Sequence, residues 1–232
     1  MNLLIFDVDG TLCEINKSVD KELEEVLQFI SRKDIIALAS GKPFGYLAGF
    51  CRQLGLPDAV IIGENGGTLM YNATFPPKNY YKVEVSPEVK NILSAIKNNY
   101  ESEFKSRIWF QPNEVILTVF PIDIKDISLI HSMANRFKND FLDIYCHADS
   151  ADFVPKGFDK GTAIDEFLKN RSFDRSDIYV FGDGENDIPM FRKSDNIITI
   201  GNEALFRNFN SIKLDSIEEL KGYLKLYLAS RN

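Results

Sequence analysis

Leu3-Leu4-Ile5-Phe6-Asp7-Val8-Asp9-Gly10-Thr11 decides how this chain folds. An unbroken apolar run passes directly into two acids and a glycine. A short apolar run with no alternation reads as a strand buried on both faces, the kind found in parallel sheets. Ile178-Tyr179-Val180-Phe181-Gly182-Asp183-Gly184-Glu185-Asn186-Asp187 repeats the design far downstream. Open α/β sheets bind ligands at the carboxyl ends of their strands, where both strings deliver their acids. Carboxylates gathered there repel one another unless a cation sits among them. An all-oxygen set suits a hard cation, Mg²⁺ when phosphate is present.

Outward from the first string the pattern alternates. Leu23, Val26, Leu27 and Ile30 recur at helical spacing behind Asp20, a residue type that caps helices. Ile35 to Leu38 is a strand ending at Ser40, and residues 46–54 form a helix stopped by Gly55 with Pro57 beyond. Val60-Ile61-Ile62 is a third strand, entering Glu64-Asn65-Gly66-Gly67, where Asn-Gly signals a hairpin turn. This rhythm predicts an α/β fold, a doubly wound parallel sheet.

Between 79 and 155 the rhythm becomes strand, helix, two strands, helix, two strands, with helices expected over 87–96 and 127–137. Antiparallel pairs with helices between them predict an inserted, smaller α+β unit. From 156 the first rhythm resumes, and Ser216 with Glu219 reads as a capping box for a final helix. The expected organisation is therefore a discontinuous core, 1–78 with 156–232, interrupted by a cap at 79–155.

Lys and Arg number 27 against 34 Asp and Glu, a net charge of −7. So acidic a chain is a poor general partner for nucleic acid or an anionic membrane. No stretch approaches the ~20 apolar residues of a membrane span. Cys13, Cys51 and Cys146 are odd in number and widely spaced, as free thiols of a cytoplasmic protein are. His131 and His147 have no ligand partner at metal spacing and read as structural or exposed.

Asp7-Val8-Asp9-Gly10-Thr11 resembles the first motif of the haloacid dehalogenase superfamily of phosphatases, and Gly182 to Asp187 resembles its fourth. Ala39-Ser40-Gly41-Lys42 is similar to the second, with lysine where arginine is usual. Phe158-Asp159-Lys160-Gly161-Thr162-Ala163 is similar to the third. Ile188-Pro189-Met190-Phe191 continues the pattern of the Cof-like, subfamily IIB branch, which carries its cap between the second and third motifs. The resemblance implies a Rossmann-like core, a phosphoric monoester hydrolase and Mg²⁺. It implies Asp7 as nucleophile and Asp9 as general acid/base. It also implies Asp7, Asp183 and the Asp9 carbonyl on the metal, with Asn186 and Asp187 acting on the metal's waters.

A strand end feeding a helix N-terminus is an anion site, so Ser40 and the Gly41 amide are expected on the phosphoryl group, with Lys160 supplying positive charge. Lys42, Asn65 and Arg107 are candidates for substrate selection. Arg107, Trp109 and Gln111 share one face of a strand, and an arginine there would pair with a substrate carboxylate or second phosphate.

The expected function is hydrolysis of a small phosphorylated metabolite, a sugar phosphate, phosphoglycolate or similar, through an aspartyl-phosphate, by a cytoplasmic monomer or homodimer. One alternative is a phosphomutase of the phosphomannomutase type; those proteins carry an insertion in the fourth motif, which here is compact. The other is a non-catalytic phosphometabolite-binding protein, which has no need of both a nucleophile and an acid/base.

Overall fold

The computed structural model describes residues 1–77, 79–201 and 203–231. In chain order the elements are β1 (Leu3–Phe6), α1 (Lys21–Ile30), β2 (Ile35–Ala39), α2 (Phe44–Gln53), β3 (Val60–Gly63), β4 (Thr68–Met70), β5 (Tyr80–Lys82) and α3 (Pro87–Phe104). Then follow β6 (Ile108–Phe110), β7 (Leu117–Pro121), α4 (Ile127–Asn135), β8 (Leu142–Cys146), β9 (Ala151–Pro155) and α5 (Lys160–Leu168). The chain finishes with β10 (Ile178–Gly182), α6 (Ile188–Phe191), β11 (Asn196–Ile200), α7 (Glu203–Phe206), β12 (Ile212–Leu214) and α8 (Ile217–Ser230). Two compact units result: Met1–Tyr81 with Asp159–Asn232, and Lys82–Phe158.

The larger unit is built on a sheet ordered β12-β11-β10-β1-β2-β3-β4-β5. β12 through β3 run parallel, and β3 and β4 form an antiparallel hairpin. β1 lies at the centre, and its side chains alternate between two cores. Leu4 and Phe6 pack with Leu23 and Leu27 of α1, Leu47 of α2 and Leu224 of α8. Leu3 and Ile5 pack with Ile164 and Phe167 of α5 and with Phe191 and Phe206. Both faces are covered, so no position in the strand tolerates a polar residue. That is the physical origin of the unbroken apolar run.

Helix ends follow local chemistry. Asp20 accepts from the Glu22 and Leu23 amides at 3.1 and 3.2 Å and starts α1. Gly55, at φ +69°, closes the turn after α2. Ser216 caps α8 by accepting from Glu219 N at 3.3 Å, but the Glu219 carboxylate accepts from Asp215 N at 2.8 Å rather than from Ser216. The return half of the expected box is thus displaced by one residue.

The smaller unit is a four-stranded antiparallel sheet, β6-β7-β9-β8. Ile96, Tyr100 and Phe104 of α3 and Ile130, Met133 and Ala134 of α4 meet Leu117, Val119, Ala151 and Phe153 on one side of it. α3 extends past the expected end at Ile96 because Tyr100 and Phe104 continue its apolar stripe at i+4 spacing. The Tyr100 hydroxyl donates to Ile130 O at 2.8 Å.

The junctions differ from the expected 78/79 and 155/156, the first of which falls at Lys78, outside the described residues. The strand expected to open the insertion is β5, on the edge of the large sheet. Phe158 packs with Val115, Ile116 and Val154, so the smaller unit keeps the chain three residues longer than expected (158 − 155 = 3).

Among the described residues, Thr68 Oγ1 is the buried side-chain polar atom with no partner. A buried hydroxyl left unpaired is a net cost, and an apolar side chain of the same shape removes it. Thr68→Val is expected to raise unfolding free energy by about 1 kcal/mol in urea titration. A loss of that size would instead mean the hydroxyl contributes a bond.

Candidate active site

The strand ends bring the acids together. Asp7 follows β1, and its N–H donates to Phe181 O at 2.9 Å, carrying the β1–β10 pairing one residue further. Ser40 follows β2, with its N–H on Ile62 O at 2.9 Å. Asp183 follows β10. Gly10 sits at φ +90°, and a Cβ there would lie 2.2 Å from Asp183 Oδ2, so only glycine lets the Asp9 turn approach that carboxylate. Thr11 donates its hydroxyl to Asp183 Oδ1 at 3.0 Å. Nothing in the sequence announces this bond.

Lys160 opens α5, whose start is set by Asp159: its carboxylate accepts from Thr162 N at 2.7 Å while its own N–H donates to Thr162 Oγ1 at 2.8 Å. Lys160 is 0% exposed. Its ammonium donates to Asp7 Oδ1 at 2.7 Å and to Asp187 Oδ1 at 2.6 Å. Asp187 Oδ2 accepts from the Asp183 and Gly184 amides at 3.0 and 2.9 Å. Asp187 therefore holds both the lysine and the loop that carries Asp183. Sequence reading placed Asp187 near the metal's waters; its bond to a lysine 27 positions away leaves no trace in spacing.

The electrostatics follow from burial and count. Burial, with Asp187 and Asp183 nearby, pushes the Asp7 carboxyl well above the ordinary carboxylate range, against the opposing pull of Lys160. Burial works to lower Lys160, but Asp187 and Asp7 outweigh it and hold the ammonium above its usual value. Burial, then the charges of Asp9 and Asp7, push the Cys13 thiol up to about 11. That thiol stays protonated near neutral pH and is no rival nucleophile.

Three carboxylates against one ammonium leave the cluster short of positive charge. Asp7, Asp183 and Asp187 each offer an oxygen within 4.8 Å of the others. This all-oxygen set fits a hard divalent cation. Both oxygens of Asp187 are already engaged, so Asp7 and Asp183 are the carboxylates that could hold such an ion directly. Among the described residues, Asp7 Oδ2 receives no hydrogen bond.

Asp9 pairs with Lys42 at 3.3 Å, and the Lys42 N–H donates to Ser40 Oγ at 3.3 Å, which keeps Ser40, Gly41 and Lys42 beside the first motif. Asn186 Nδ2 donates to Asn65 Oδ1 at 2.9 Å. Arg107 belongs to the smaller unit. Its NH1 reaches both oxygens of Asp126 at 3.1 and 3.0 Å, and its guanidinium lies 5.2 Å from the Phe104 ring centre. One nitrogen of its guanidinium is thus engaged inside its own unit. His131 contacts Ser150 O and His147 contacts Asp152, as structural histidines do.

A family model described as haloacid dehalogenase-like hydrolase matches residues 4–116 and 81–204. A phosphoglycolate phosphatase of Nitrosopumilus maritimus is 27% identical over 203 residues, 85% of this chain and 82% of that protein. One from Thermoplasma volcanium is 27% identical over 192 residues, 82% of this chain and 81% of that protein. Among solved structures, Thermoplasma acidophilum protein 0175 superposes with TM-score 0.71 at 20% identity, covering 99% of this chain and 98% of its own. The subclass IIB sugar phosphatase BT4131 superposes with TM-score 0.70 at 18% identity, covering 98% and 99%. Among the described residues no helix is long and apolar enough to cross a membrane.

Proposed function

This chain belongs to the haloacid dehalogenase-like hydrolases, and on that footing we propose that it is a Mg²⁺-dependent phosphatase that hydrolyses the phosphate monoester of a small metabolite through an aspartyl-phosphate at Asp7. The observation that carries this reading is the buried Lys160 bridging Asp7 and Asp187, in a cluster whose third carboxylate is Asp183.

Lys160 fixes Asp7 Oδ1 and leaves Oδ2 to attack phosphorus. A bond forms from Asp7 to phosphorus as the ester P–O bond breaks, and the leaving alkoxide takes a proton from Asp9. A water then attacks phosphorus, Asp9 takes its proton, and the bond to Asp7 breaks to release inorganic phosphate. The Ser40 hydroxyl, the Gly41 amide and Lys160 hold the phosphoryl oxygens. Mg²⁺, held by Asp7, Asp183 and the Asp9 carbonyl, would offset the charge of nucleophile and phosphate. Asn186 and Asp187 orient the loop beside it.

The names of the relatives support a small anionic phosphomonoester such as phosphoglycolate; a sugar phosphate belongs to the same chemical class. The smaller unit is proposed to choose among such substrates. Free thiols at Cys13, Cys51 and Cys146 support a cytoplasmic location; a monomer or homodimer with no nucleic-acid or membrane partner completes the proposal.

Phosphate release from 2-phosphoglycolate, hexose phosphates and an aryl phosphate tests the reading. Turnover with Mg²⁺ is expected to fall at least about 10²-fold with EDTA and to return on adding Mg²⁺, since a Lewis acid supplies several kcal/mol. Release that survives EDTA would overturn it.

A further inference from the structure

Three consecutive residues after β3 adopt left-handed backbone: Glu64 at φ +52°, Asn65 at +53° and Gly66 at +101°. Only the last is glycine. Such a run persists only where its surroundings over-determine it, and it gathers where function needs it. Glu64 is 0% exposed and Asn65 2%.

The surroundings are the loops of the site. Glu64 N donates to Lys42 O at 3.0 Å, and Asn65 N donates to Ser40 O at 3.0 Å. A Cβ on Gly66 would lie 2.1 Å from Asp159 O, the residue before Lys160. Asn65 Oδ1 accepts from Asn186 Nδ2 at 2.9 Å. One turn thus touches the segments that present the phosphate-binding serine, the buried lysine and the metal-side loop. A satisfied buried turn could serve the fold alone. Yet a side-chain bond of the turn reaches the fourth motif at Asn186, which lies between Asp183 and Asp187, and a part-buried amide–amide bond fixes the direction of both amides.

We infer that Asn65 is a positioning residue: its side chain sets the Asn186 amide, and through it the 183–187 loop, in the orientation that binds the cation. Asn65 then acts on the metal side, not as the substrate-selecting contact its sequence position suggested. This inference rests on the reading of Asp183 as a metal ligand given under Proposed function. Groups that orient metal ligands typically govern affinity by 10–100-fold.

The test is Mg²⁺ affinity by titration calorimetry on the full chain without substrate. Asn65→Gly keeps the left-handed backbone and removes the side chain. It is expected to weaken Mg²⁺ binding about tenfold, while the melting temperature without Mg²⁺ stays close to the parent's. Asn65→Gly with Asn186→Ala should bind no more weakly than Asn186→Ala alone, because both remove the same bond. Asn65→Asp retains an acceptor for Asn186 and should keep parental affinity; should the glycine variant fail to fold, this variant and Asn186→Ala carry the test. Parental affinity in Asn65→Gly, strictly additive losses in the pair, or equal weakness in Asn65→Asp would overturn the inference. Asp183→Asn separates the two readings. If it also binds Mg²⁺ like the parent, the metal-site reading falls and takes this inference with it. If it loses binding while Asn65→Gly does not, this inference falls alone.

Discussion

Asp7→Asn is expected to reduce phosphate release by about 10⁴-fold or more, the scale on which removal of a covalent nucleophile acts, while leaving the protein folded. The amide has the same shape as the carboxyl and can still accept from Lys160. It cannot form the acyl phosphate. Lys160 keeps Asp187 as its counter-ion, so no buried ammonium is stranded. In the cation-free protein the exchange also removes a carboxyl that burial and two neighbouring acids hold above its ordinary range. The metal-free melting temperature is therefore expected to equal or exceed the parent's, and the rise produced by Mg²⁺ to shrink. Steady-state phosphate release and melts with and without Mg²⁺ check both parts. A variant that is inactive because it has unfolded would not support this account.

Lys160→Met should have the opposite signature. Methionine fills much the same volume but strands two carboxylates in a site with 0% exposure at the lysine. Removing one partner of a buried ion pair costs about 3–5 kcal/mol, so stability and turnover should fall together. The expected loss of turnover is about 10²–10³-fold, the scale for one charge-stabilising donor. The stability deficit should depend on pH. A folded state that holds Asp7 protonated above the ordinary aspartate value binds more protons than the unfolded chain across that window. Stability then declines as pH rises through it. Without Lys160 nothing in the cluster opposes that rise, so the window extends upward. The deficit should be smallest in the ordinary aspartate range and grow as pH rises above it. Lys160's own raised value places the loss of its pairing in strongly alkaline solution, outside this range. Urea titrations across pH read the deficit directly; a deficit independent of pH would mean the carboxylates are not what the lysine holds.

Much of this was legible in the chain itself. Strands buried on both faces leave runs such as Leu3 to Phe6 and Ile178 to Phe181, and the acids after them mark the ligand end of the sheet. What escaped did so for physical reasons. β4 and β12 are only three residues each, too short for a periodic signal, and are fixed by their neighbours in the sheet. β5 carries no mark of which sheet it joins, because edge pairing is a tertiary choice. α3 continues through Asn98-Asn99, polar residues on its exposed side, while Tyr100 and Phe104 hold the buried side.

In the site, residue types were visible but bond partners were not. Lys160 and Asp187 could be named as members of motifs, yet nothing in their spacing shows that Lys160 reaches both Asp7 and Asp187. Thr11 was visible only as the last letter of the first motif; its bond to Asp183 spans 172 positions. Arg107 was chosen for its strand face, and Asp126 lies on a later turn whose approach the strand pattern cannot foretell. Asn65 was noticed for the hairpin signal it shares with Gly66. Its tie to Asn186 appears only once the two loops meet.

The proposed mechanism turns on the Asp7 carboxylate, held by Lys160, accepting the phosphoryl group. Borohydride reduces an acyl phosphate to an alcohol, so quenching turnover with it and mapping the peptides by mass spectrometry tests the claim most directly. Homoserine is expected at position 7 in the presence of substrate and Mg²⁺, and none without substrate or in Asp7→Asn. Steady phosphate release with residue 7 unreduced throughout, or with the reduced residue elsewhere, would contradict it.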